Sequence, residues 1–442
     1  MSILNGSQVC ARKSPVGGIG LFAEEDVEGE CLRVTRKQIY NLETCLELKS
    51  QLDKDKEEPV VQQVLKYYSK VHNETRFLIA YMIGFEVLRR KGELKDHPEL
   101  SEYLQLLLST TVDNLAFEED ALLESYYEIE PGNALVNMSI KEVQSDEFEE
   151  LSAYISDTWQ VSIPGCDIRR LTAAVRSRTL EIPKIDEDGD YYVQISLVPG
   201  LDFANHDNAR QNATFDVDPD TNEIVLKTTT TVAAGSEIFI SYTPYEDMTR
   251  MFVTYGFIPC SNGLKAVDIP FWGYFHFEDS EELTEYLFEQ QQPNNLQLIL
   301  EYKDGKLEDL WLNMASNYSF AGFIQKDSIQ TVMENASEEQ IDRALIKLIG
   351  LVDKSFAERI PKLDQFNDFC EKYEAENGTC NIQQLVQLQL EVYRKYREKY
   401  ASIAKHLDSD SLYDLVMIEG DEWVDYRLPP VYNFLTRDLE RH

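Results

Sequence analysis

Apolar residues recur every three or four positions along the middle of the chain, from about residue 58 to residue 170. Val60, Val64 and Tyr68 belong to one such stripe, and Phe77 and Tyr81 belong to a second, each with charged residues on the opposite face. This spacing follows the period of an α-helix that buries one side. The pattern therefore predicts a long helical region in the middle of the chain.

In two other regions, short apolar runs are separated by glycines or polar turn residues, which is typical of short strands. Near the N-terminus, apolar runs alternate with glycines, as in residues 17–23 and 29–34. Between residues 191 and 242, alternating and fully apolar runs surround a polar turn at 218–222. Glycine and polar turn residues between such runs are typical of antiparallel hairpins. Both regions are therefore predicted to form strands.

Helical spacing returns after about residue 265, and it continues far toward the C-terminus. Ile341 and Leu345 lie on one apolar stripe, and Leu385 and Val392 lie on another. These stripes predict helices with one apolar face each.

The order of these regions along the chain is strand, helix, strand, helix. If both strand regions build one β unit, that unit comprises residues 1–45 and 171–262, and residues 46–170 are a helical insertion within it. Residues 263–442 then form an appended domain. The predicted fold class is α+β, with small β-sheets, a helical insertion and an all-helical C-terminal domain.

The chain of 442 residues has a formal net charge of -37. Such a charge repels phosphates, so neither direct nucleic-acid binding nor an anionic membrane surface is expected, whereas a basic protein would be attracted. High solubility alone is the alternative explanation. The acidic stretches at 118–120 and 146–150 are expected on solvated helix faces.

The seven cysteines include no Cys-x-x-Cys pair, so the sequence suggests neither a disulfide framework nor a zinc cluster, and no metal is predicted. The N-terminus has no signal-peptide pattern, and no apolar run is long enough to cross a membrane. We therefore expect a monomeric protein of the cytoplasm, and also of the nucleus.

Four short segments carry the candidate chemistry: Gly18-Ile19-Gly20, Ser177-Arg178, the stretch from Asp202 to Asn205-His206, and the pair Tyr242 and Tyr255. Each is a weak signal alone. The glycines suit a plain β-turn, the Asn-His pair an Asx-turn, the arginine an exposed helix end, and two tyrosines an ordinary core. Their order and spacing along the chain make the set more specific than its members.

In order and spacing, these segments resemble the signature segments of SET-domain methyltransferases, in the branch typified by the Rubisco large-subunit lysine methyltransferase. The resemblance covers roughly the first 260 residues by motif and the rest by length and helical character. It implies a SET catalytic domain at 1–45 and 171–262, S-adenosyl-L-methionine as the cofactor, and a C-terminal domain at 263–442 that binds the substrate.

The resemblance also implies roles for individual residues. It assigns cofactor binding to residues of all four segments: Gly18, Ile19, Ser177, Arg178, Asp202, Asn205, His206 and Tyr242. Within this set, Arg178 would donate to the cofactor carboxylate and Asp202 would orient the Asn-His segment. Tyr242 and Tyr255 would be the catalytic pair, Tyr242 facing the methyl group and Tyr255 lining the channel for the lysine.

The predicted function is methyl transfer to a lysine side chain of a non-histone protein, with a basic ribosomal protein or translation elongation factor as the substrate. One departure from the family leaves the acceptor and the number of methyl groups open. Many members carry a third tyrosine where this chain has Phe215. The alternatives are a protein-histidine methyltransferase and a catalytically silent SET-like binding or assembly module.

Overall fold

The computed structural model describes most of the chain, in these stretches: 4, 6–54, 59–68, 73–110, 112–115, 118, 120–130, 136, 147–185, 191–243, 246–270, 295–313, 338–403 and 417–418. The chain divides into two compact units. The first comprises residues 1–112 and 145–242, and the second comprises 113–144 and 243–442. The domain limits predicted from the sequence remain a prediction.

Short strands build the sheets of the first unit. In chain order they are β1 (Val9–Lys13), β2 (Ile19–Ala23), β3 (Glu30–Val34), β4 (Thr179–Ile185), β5 (Tyr191–Leu197), β6 (Asn205–His206), β7 (Ala213–Val217), β8 (Ile224–Thr228) and β9 (Glu237–Ile240). One sheet has the order β1-β2-β9-β6, another the order β3-β8-β7, and β4 pairs with β5. Both predicted strand regions are therefore confirmed, whereas β4, which contains Pro183, was not predicted.

The β7–β8 hairpin confirms the predicted turn at 218–222 and shows what holds it. The Asp218 side chain accepts hydrogen bonds from the backbone N–H groups of Asp220 (3.0 Å) and Thr221 (3.3 Å). Asn222 adopts a left-handed conformation with φ of 55°. Arg33 on β3 forms an ion pair with Asp218 at 2.8 Å, so the turn is also fixed to the neighbouring strand.

Ten helices have described bounds: α1 (Leu42–Leu52), α2 (Val60–Tyr68), α3 (Glu74–Arg90), α4 (Pro98–Ser109), α5 (Asp120–Ile129), α6 (Glu147–Trp159), α7 (Gly165–Arg176), α8 (Met248–Tyr255), α9 (Glu338–Asn377) and α10 (Ile382–Ile403). In α3, every residue from Leu78 to Leu88 is buried. Its only charged residue in that stretch, Glu86, forms ion pairs with Arg89 and Arg90. The helical region predicted from the apolar stripes is confirmed.

The second unit combines helices with a sheet. Strands β10 (Gly263–Pro270), β11 (Asn295–Lys303) and β12 (Lys306–Asn313) are antiparallel, and β13 (Met417–Ile418) adds in parallel to β12. The predicted helices are present as α9 and α10, but the expectation of an all-helical C-terminal part is wrong. The missed signal is the Asp304-Gly305 pair, whose positive φ values of 51° and 72° suit the tight turn of a hairpin.

Glu118 corrects another expectation, because this acidic residue is buried and not solvated. Its carboxylate accepts hydrogen bonds from the backbone N–H groups of Asn381 and Ile382, at the start of α10. A helix leaves its first N–H groups without internal partners and carries partial positive charge at that end. Glu118 therefore satisfies and stabilises the N-terminus of α10 within the second unit.

Among the described helices, none combines the length and the apolar character needed to cross a membrane.

Candidate functional site

The loop between β1 and β2 exposes backbone at the predicted glycine segment. The Ser14 N–H donates to the Gly18 carbonyl at 3.1 Å, which closes the hairpin. Gly17 and Gly18 have φ values of 139° and 57°, and a β-carbon on either would contact nothing within 4 Å. Their glycine character is thus required by backbone conformation. Ile19, which follows, is 39% exposed.

Arg178 lies just after the end of α7, where Ser177 is the C-cap. The Ser177 hydroxyl donates to the Ala174 carbonyl at 3.2 Å, so its proton is used in a hydrogen bond at the end of the helix. The Arg178 guanidinium donates to the Asp202 carbonyl at 2.7 Å and to the Thr110 hydroxyl at 3.3 Å. The arginine is therefore held in one orientation against the segment that contains Asp202.

Asp202 has a fully buried carboxylate. It accepts from the Tyr103 hydroxyl and from the Gly200 N–H, each at 2.9 Å, and lies 3.5 Å from the Arg178 guanidinium. Burial raises the pKa of Asp202 above its usual value, and the neighbouring Arg178 charge opposes that rise. Asp202 therefore links α4, the turn at Gly200 and the arginine.

Asn205 and His206 form the two-residue strand β6, which runs parallel to β9 and pairs with Phe239 and Ile240. The Asn205 side-chain amide donates to the Glu237 carboxylate at 2.7 Å. His206 is buried, and its Nδ1 accepts a hydrogen bond from the Tyr242 N–H at 2.9 Å. An accepting Nδ1 carries no proton in this arrangement.

Tyr242 follows β9 by two residues and turns back onto the same segment. Its hydroxyl donates to the Ala204 carbonyl at 3.0 Å, and its ring centre lies 5.2 Å from that of His206. The chain between Ala204 and His206 is therefore fixed to the end of β9 by one strand pair and two hydrogen bonds from one tyrosine.

Tyr255 is the last residue of α8, in the second unit, and its ring contacts that of Phe257. Gly256 between them has φ of 81°, and a β-carbon there would come within 2.7 Å of the Asp113 backbone. The glycine of this Tyr-Gly-Phe segment is therefore required twice, by conformation and by packing. Phe215 lies on β7, partly buried against a core of the first unit.

Among the buried polar atoms that have no hydrogen-bond partner within the described residues, two lie in or next to the candidate binding residues: Nε of Arg178 and the hydroxyl oxygen of Ser241. Buried polar groups are ordinarily satisfied, so orphaned ones next to candidate binding residues suit a polar ligand or water. Within the described stretches, no group of three or more His, Cys, Asp or Glu side chains is arranged to hold a metal ion.

The first unit thus connects most of the predicted site residues. Arg178 contacts Asp202, and Tyr242 contacts His206, which follows Asn205 directly. Their roles toward a ligand remain predictions. The sequence reasoning missed Glu237, Ser14 and Ser241. Glu237 lies in the signature segment that ends at Tyr242, and Ser14 lies in the loop before the glycine segment, but only their contacts reveal a place in the site.

The fold is that of a SET-domain protein. Among solved structures, the SET domain of LSMT bound to lysine and AdoHcy matches with a TM-score of 0.56 and 13% sequence identity, over 95% of this chain and 94% of that one. Rubisco LSMT bound to AdoMet matches with a TM-score of 0.51 and 13% identity, over 95% of each chain. The predicted SET-type fold class is confirmed.

The family is narrower than the fold. The family model for cytochrome c lysine N-methyltransferase 1 matches residues 11–303, so the chain belongs to this family. The relative of that name from Saccharomyces cerevisiae is 30% identical over 279 residues, which are 56% of this chain and 45% of the relative. The one from Kluyveromyces lactis is 29% identical over 292 residues, 60% of this chain and 55% of the relative. The chain therefore spans about half the length of the curated relatives it matches.

The predicted resemblance to the Rubisco large-subunit branch of SET proteins is confirmed. The predicted subtype, which acts on ribosomal proteins or elongation factors, finds no support in these comparisons.

Proposed function

We propose that this chain is a protein-lysine N-methyltransferase that uses S-adenosyl-L-methionine and acts on a cytochrome c. One observation carries the proposal. Tyr242 is bonded through its N–H to His206 and through its hydroxyl to Ala204, so the predicted methyl-facing tyrosine and the predicted cofactor-binding pair form one rigid unit. Family membership and the names of the relatives support the same activity.

The residues of the first unit suit this cofactor. S-adenosyl-L-methionine has a carboxylate, an ammonium group and an adenine, and when bound it supplies a methyl group activated by a positively charged sulfur. Arg178 offers a cation for the carboxylate, and the exposed backbone at Gly18 and Ile19 offers hydrogen-bonding groups. Asn205 and His206 present further polar groups from a fixed strand.

Tyr242 is arranged to assist the transfer of the methyl group. Its hydroxyl proton is directed to the Ala204 carbonyl, and the phenolic oxygen carries lone pairs of the kind that accept weak C–H hydrogen bonds. A lysine amine must lose its proton before it can act as a nucleophile, and its usual pKa is about 10.4. An apolar channel lowers that pKa by desolvation, so no general base is assigned.

The substrate is proposed from two lines of support. The relatives are named for cytochrome c, and the net charge of -37 attracts a protein whose surface is rich in lysine. A ribosomal protein or an elongation factor meets the same charge requirement and is the second candidate. The cytoplasmic and nuclear location and the monomeric state expected from the sequence stay part of the proposal.

The test is a methylation assay with the full chain, isotopically labelled cofactor and three separate acceptors: cytochrome c, purified ribosomes and elongation factors. We expect label on a lysine of cytochrome c, identified by peptide mass spectrometry, and a rate that falls as the ionic strength rises. Cytochrome c whose lysines have been acetylated is the matched control, because an amide nitrogen does not accept the methyl group. Label only on the ribosomes or elongation factors would show that the proposed substrate is wrong, although the proposed methyltransferase activity would stand.

Two further outcomes separate the alternatives. Label on histidine would identify a protein-histidine methyltransferase. If calorimetry detects no binding of S-adenosylhomocysteine and no acceptor is labelled, the chain is a silent SET-like module and the proposed activity is refuted.

We also propose that the second unit docks the substrate. An exposed aromatic residue, Phe369, lies on α9 between the exposed acidic residues Asp368 and Glu371, a combination that suits a basic protein surface. Deleting residues 263–442 is a poor test, because Phe252 of α8 and Leu385 of α10 belong to the same core.

Reversing two surface charges next to Phe369 is a better test of docking. The pair Asp368→Lys and Glu371→Lys should raise KM for cytochrome c about tenfold or less and leave kcat unchanged, because rim charges chiefly affect association. The pair Glu24→Lys and Glu25→Lys, exposed in the first unit, changes the net charge equally and serves as the control. Equal effects of both pairs on KM would mean that only overall charge matters.

A further inference from the structure

Glu237, the first residue of β9, has a carboxylate that is buried beside the predicted cofactor residues. One carboxylate oxygen accepts from the Asn205 side-chain amide at 2.7 Å. The other accepts from the Ser14 hydroxyl at 3.0 Å. Burial of a carboxylate is costly unless its oxygens are hydrogen-bonded, and both of these are.

Ser14 connects Glu237 to the glycine loop. The Ser14 hydroxyl oxygen also accepts from the Val16 N–H at 3.1 Å, and the Ser14 N–H closes the hairpin onto Gly18. Glu237 therefore contacts, through two side chains, both the loop before Ile19 and the strand that carries Asn205 and His206.

Gly20 has a specific relation to this carboxylate. A β-carbon at Gly20 would come within 2.1 Å of the Glu237 carboxylate and 2.9 Å of the Asn205 amide nitrogen. Its φ is not in the left-handed region, unlike that of Gly17 and Gly18. The second glycine of Gly18-Ile19-Gly20 is therefore required to make room for Glu237, while the first is required by backbone conformation.

The hydrogen bond fixes the orientation of the Asn205 side chain. A carboxylate only accepts hydrogen bonds, so it must face the NH2 group of the amide. The amide carbonyl then points away from Glu237, where it can accept from a donor such as an ammonium or an aromatic amino group. Without Glu237, the amide would be free to present either end.

We propose that Glu237 is a positioning residue of the cofactor site, which orients the Asn205 amide and anchors the Ser14–Gly18 loop, and that Gly20 is present to admit it. The inference rests on the proposed function, because the ligand in question is S-adenosylmethionine. Glu237 acts through Asn205 and Ser14 and is not assigned a contact with the ligand.

The test measures S-adenosylhomocysteine affinity by calorimetry and ligand-free thermal unfolding, both on the full chain. Glu237→Ala should weaken binding by roughly 10- to 100-fold, the loss expected when a buried donor is left without its acceptor. Glu237→Gln keeps an oxygen for Asn205 and an amide for the Ser14 hydroxyl oxygen, so its affinity should stay within about fivefold of the wild type. Exposed Glu25→Ala is the matched control and should change neither readout.

A double variant separates positioning from packing. Gly20→Ala alone should lower the melting temperature, because its methyl group overlaps the carboxylate. In Gly20→Ala with Glu237→Ala, the methyl group occupies the vacated space, so the melting temperature should recover relative to Gly20→Ala. The affinity should nevertheless stay low, since Asn205 is still unoriented. A structural role alone would restore both together.

A double-mutant cycle with Asn205→Ala tests whether Glu237 affects ligand affinity through Asn205. If Glu237 acts through Asn205, adding Glu237→Ala to Asn205→Ala should weaken binding by less than Glu237→Ala does in the wild type. Full additivity would overturn the route through Asn205, and wild-type affinity in Glu237→Ala would overturn the positioning role as a whole, while the proposed function stands in both cases. Failure of the wild-type chain to bind the ligand would overturn both.

Discussion

Replacing Asp202 with alanine is expected to lower the free energy of unfolding by about 3 to 5 kcal/mol. The loss has three sources. The Tyr103 hydroxyl, fully buried, and the Gly200 N–H each lose their acceptor, and the Arg178 guanidinium loses the nearby carboxylate. Urea denaturation at pH 7, followed by circular dichroism, measures the difference from the wild type.

Asp202→Asn is the control that separates hydrogen bonding from charge. Burial raises the pKa of Asp202, so the fold favours a neutral group there and the negative charge contributes little net stability. The amide retains an acceptor for Gly200 and a partner for Tyr103, so we expect a loss of about 1.5 kcal/mol or less. An alanine variant that is no less stable than the asparagine variant would contradict this account of the cluster.

The pH dependence of the same pair has a defined sign. A carboxyl group whose pKa is raised on folding contributes stability that is present below its unfolded pKa, about 3.9, and is lost as the pH rises through the folded pKa. The asparagine variant lacks this contribution. The stability of the wild type relative to Asp202→Asn should therefore fall as the pH rises from about 4 through the folded pKa of Asp202.

Residue periodicity predicts most of the secondary structure of the first unit, because its long helices and most of its strands bury a regular apolar face, whereas β4 was not predicted. The helices through Val60 and Phe77 and the hairpin at 218–222 follow directly from such patterns. In the second unit, the sequence predicted only helices, and the hairpin of β11 and β12 was missed. Its best indication was the turn dipeptide Asp304-Gly305, which is short compared with the long helical stripes that follow it.

In the candidate site, too, residues in short sequence segments could be predicted, whereas residues defined by long-range contacts could not. The order of Asn205, His206 and Tyr242 could be recognised because the residues lie in short signature segments. Glu237 lies in the same signature segment as Tyr242, but no role could be assigned to it, because its contact with Ser14 spans 223 positions of sequence. The burial of Glu118 was not predicted for a similar reason, since its partners Asn381 and Ile382 lie 263 and 264 positions away along the chain.

Tyr242→Phe is expected to lower the turnover number about tenfold to a thousandfold, the range that one positioned hydrogen-bonding group supplies in the transition state. The substitution keeps the ring that contacts His206 and removes only the oxygen. Because the backbone N–H of residue 242 still donates to His206, the strand pair between β6 and β9 should persist. Affinity for S-adenosylhomocysteine should therefore stay within a few fold of the wild type.

The measurement is single-turnover methylation of the substrate identified in the acceptor assay, with calorimetry and thermal unfolding on the same preparations. The lost hydroxyl also bonds the Ala204 carbonyl, so a decrease in stability of about 1 kcal/mol is expected beside the kinetic effect. Tyr192→Phe, at an exposed position on β5, removes a hydroxyl elsewhere in the first unit and should leave the rate unchanged.

A Tyr242→Phe variant with the wild-type rate would show that the phenolic oxygen serves only to hold Ala204. A loss of affinity with an unchanged turnover number would assign the tyrosine to binding and not to the chemical step, because an interaction made equally in the ground and transition states does not change the turnover number.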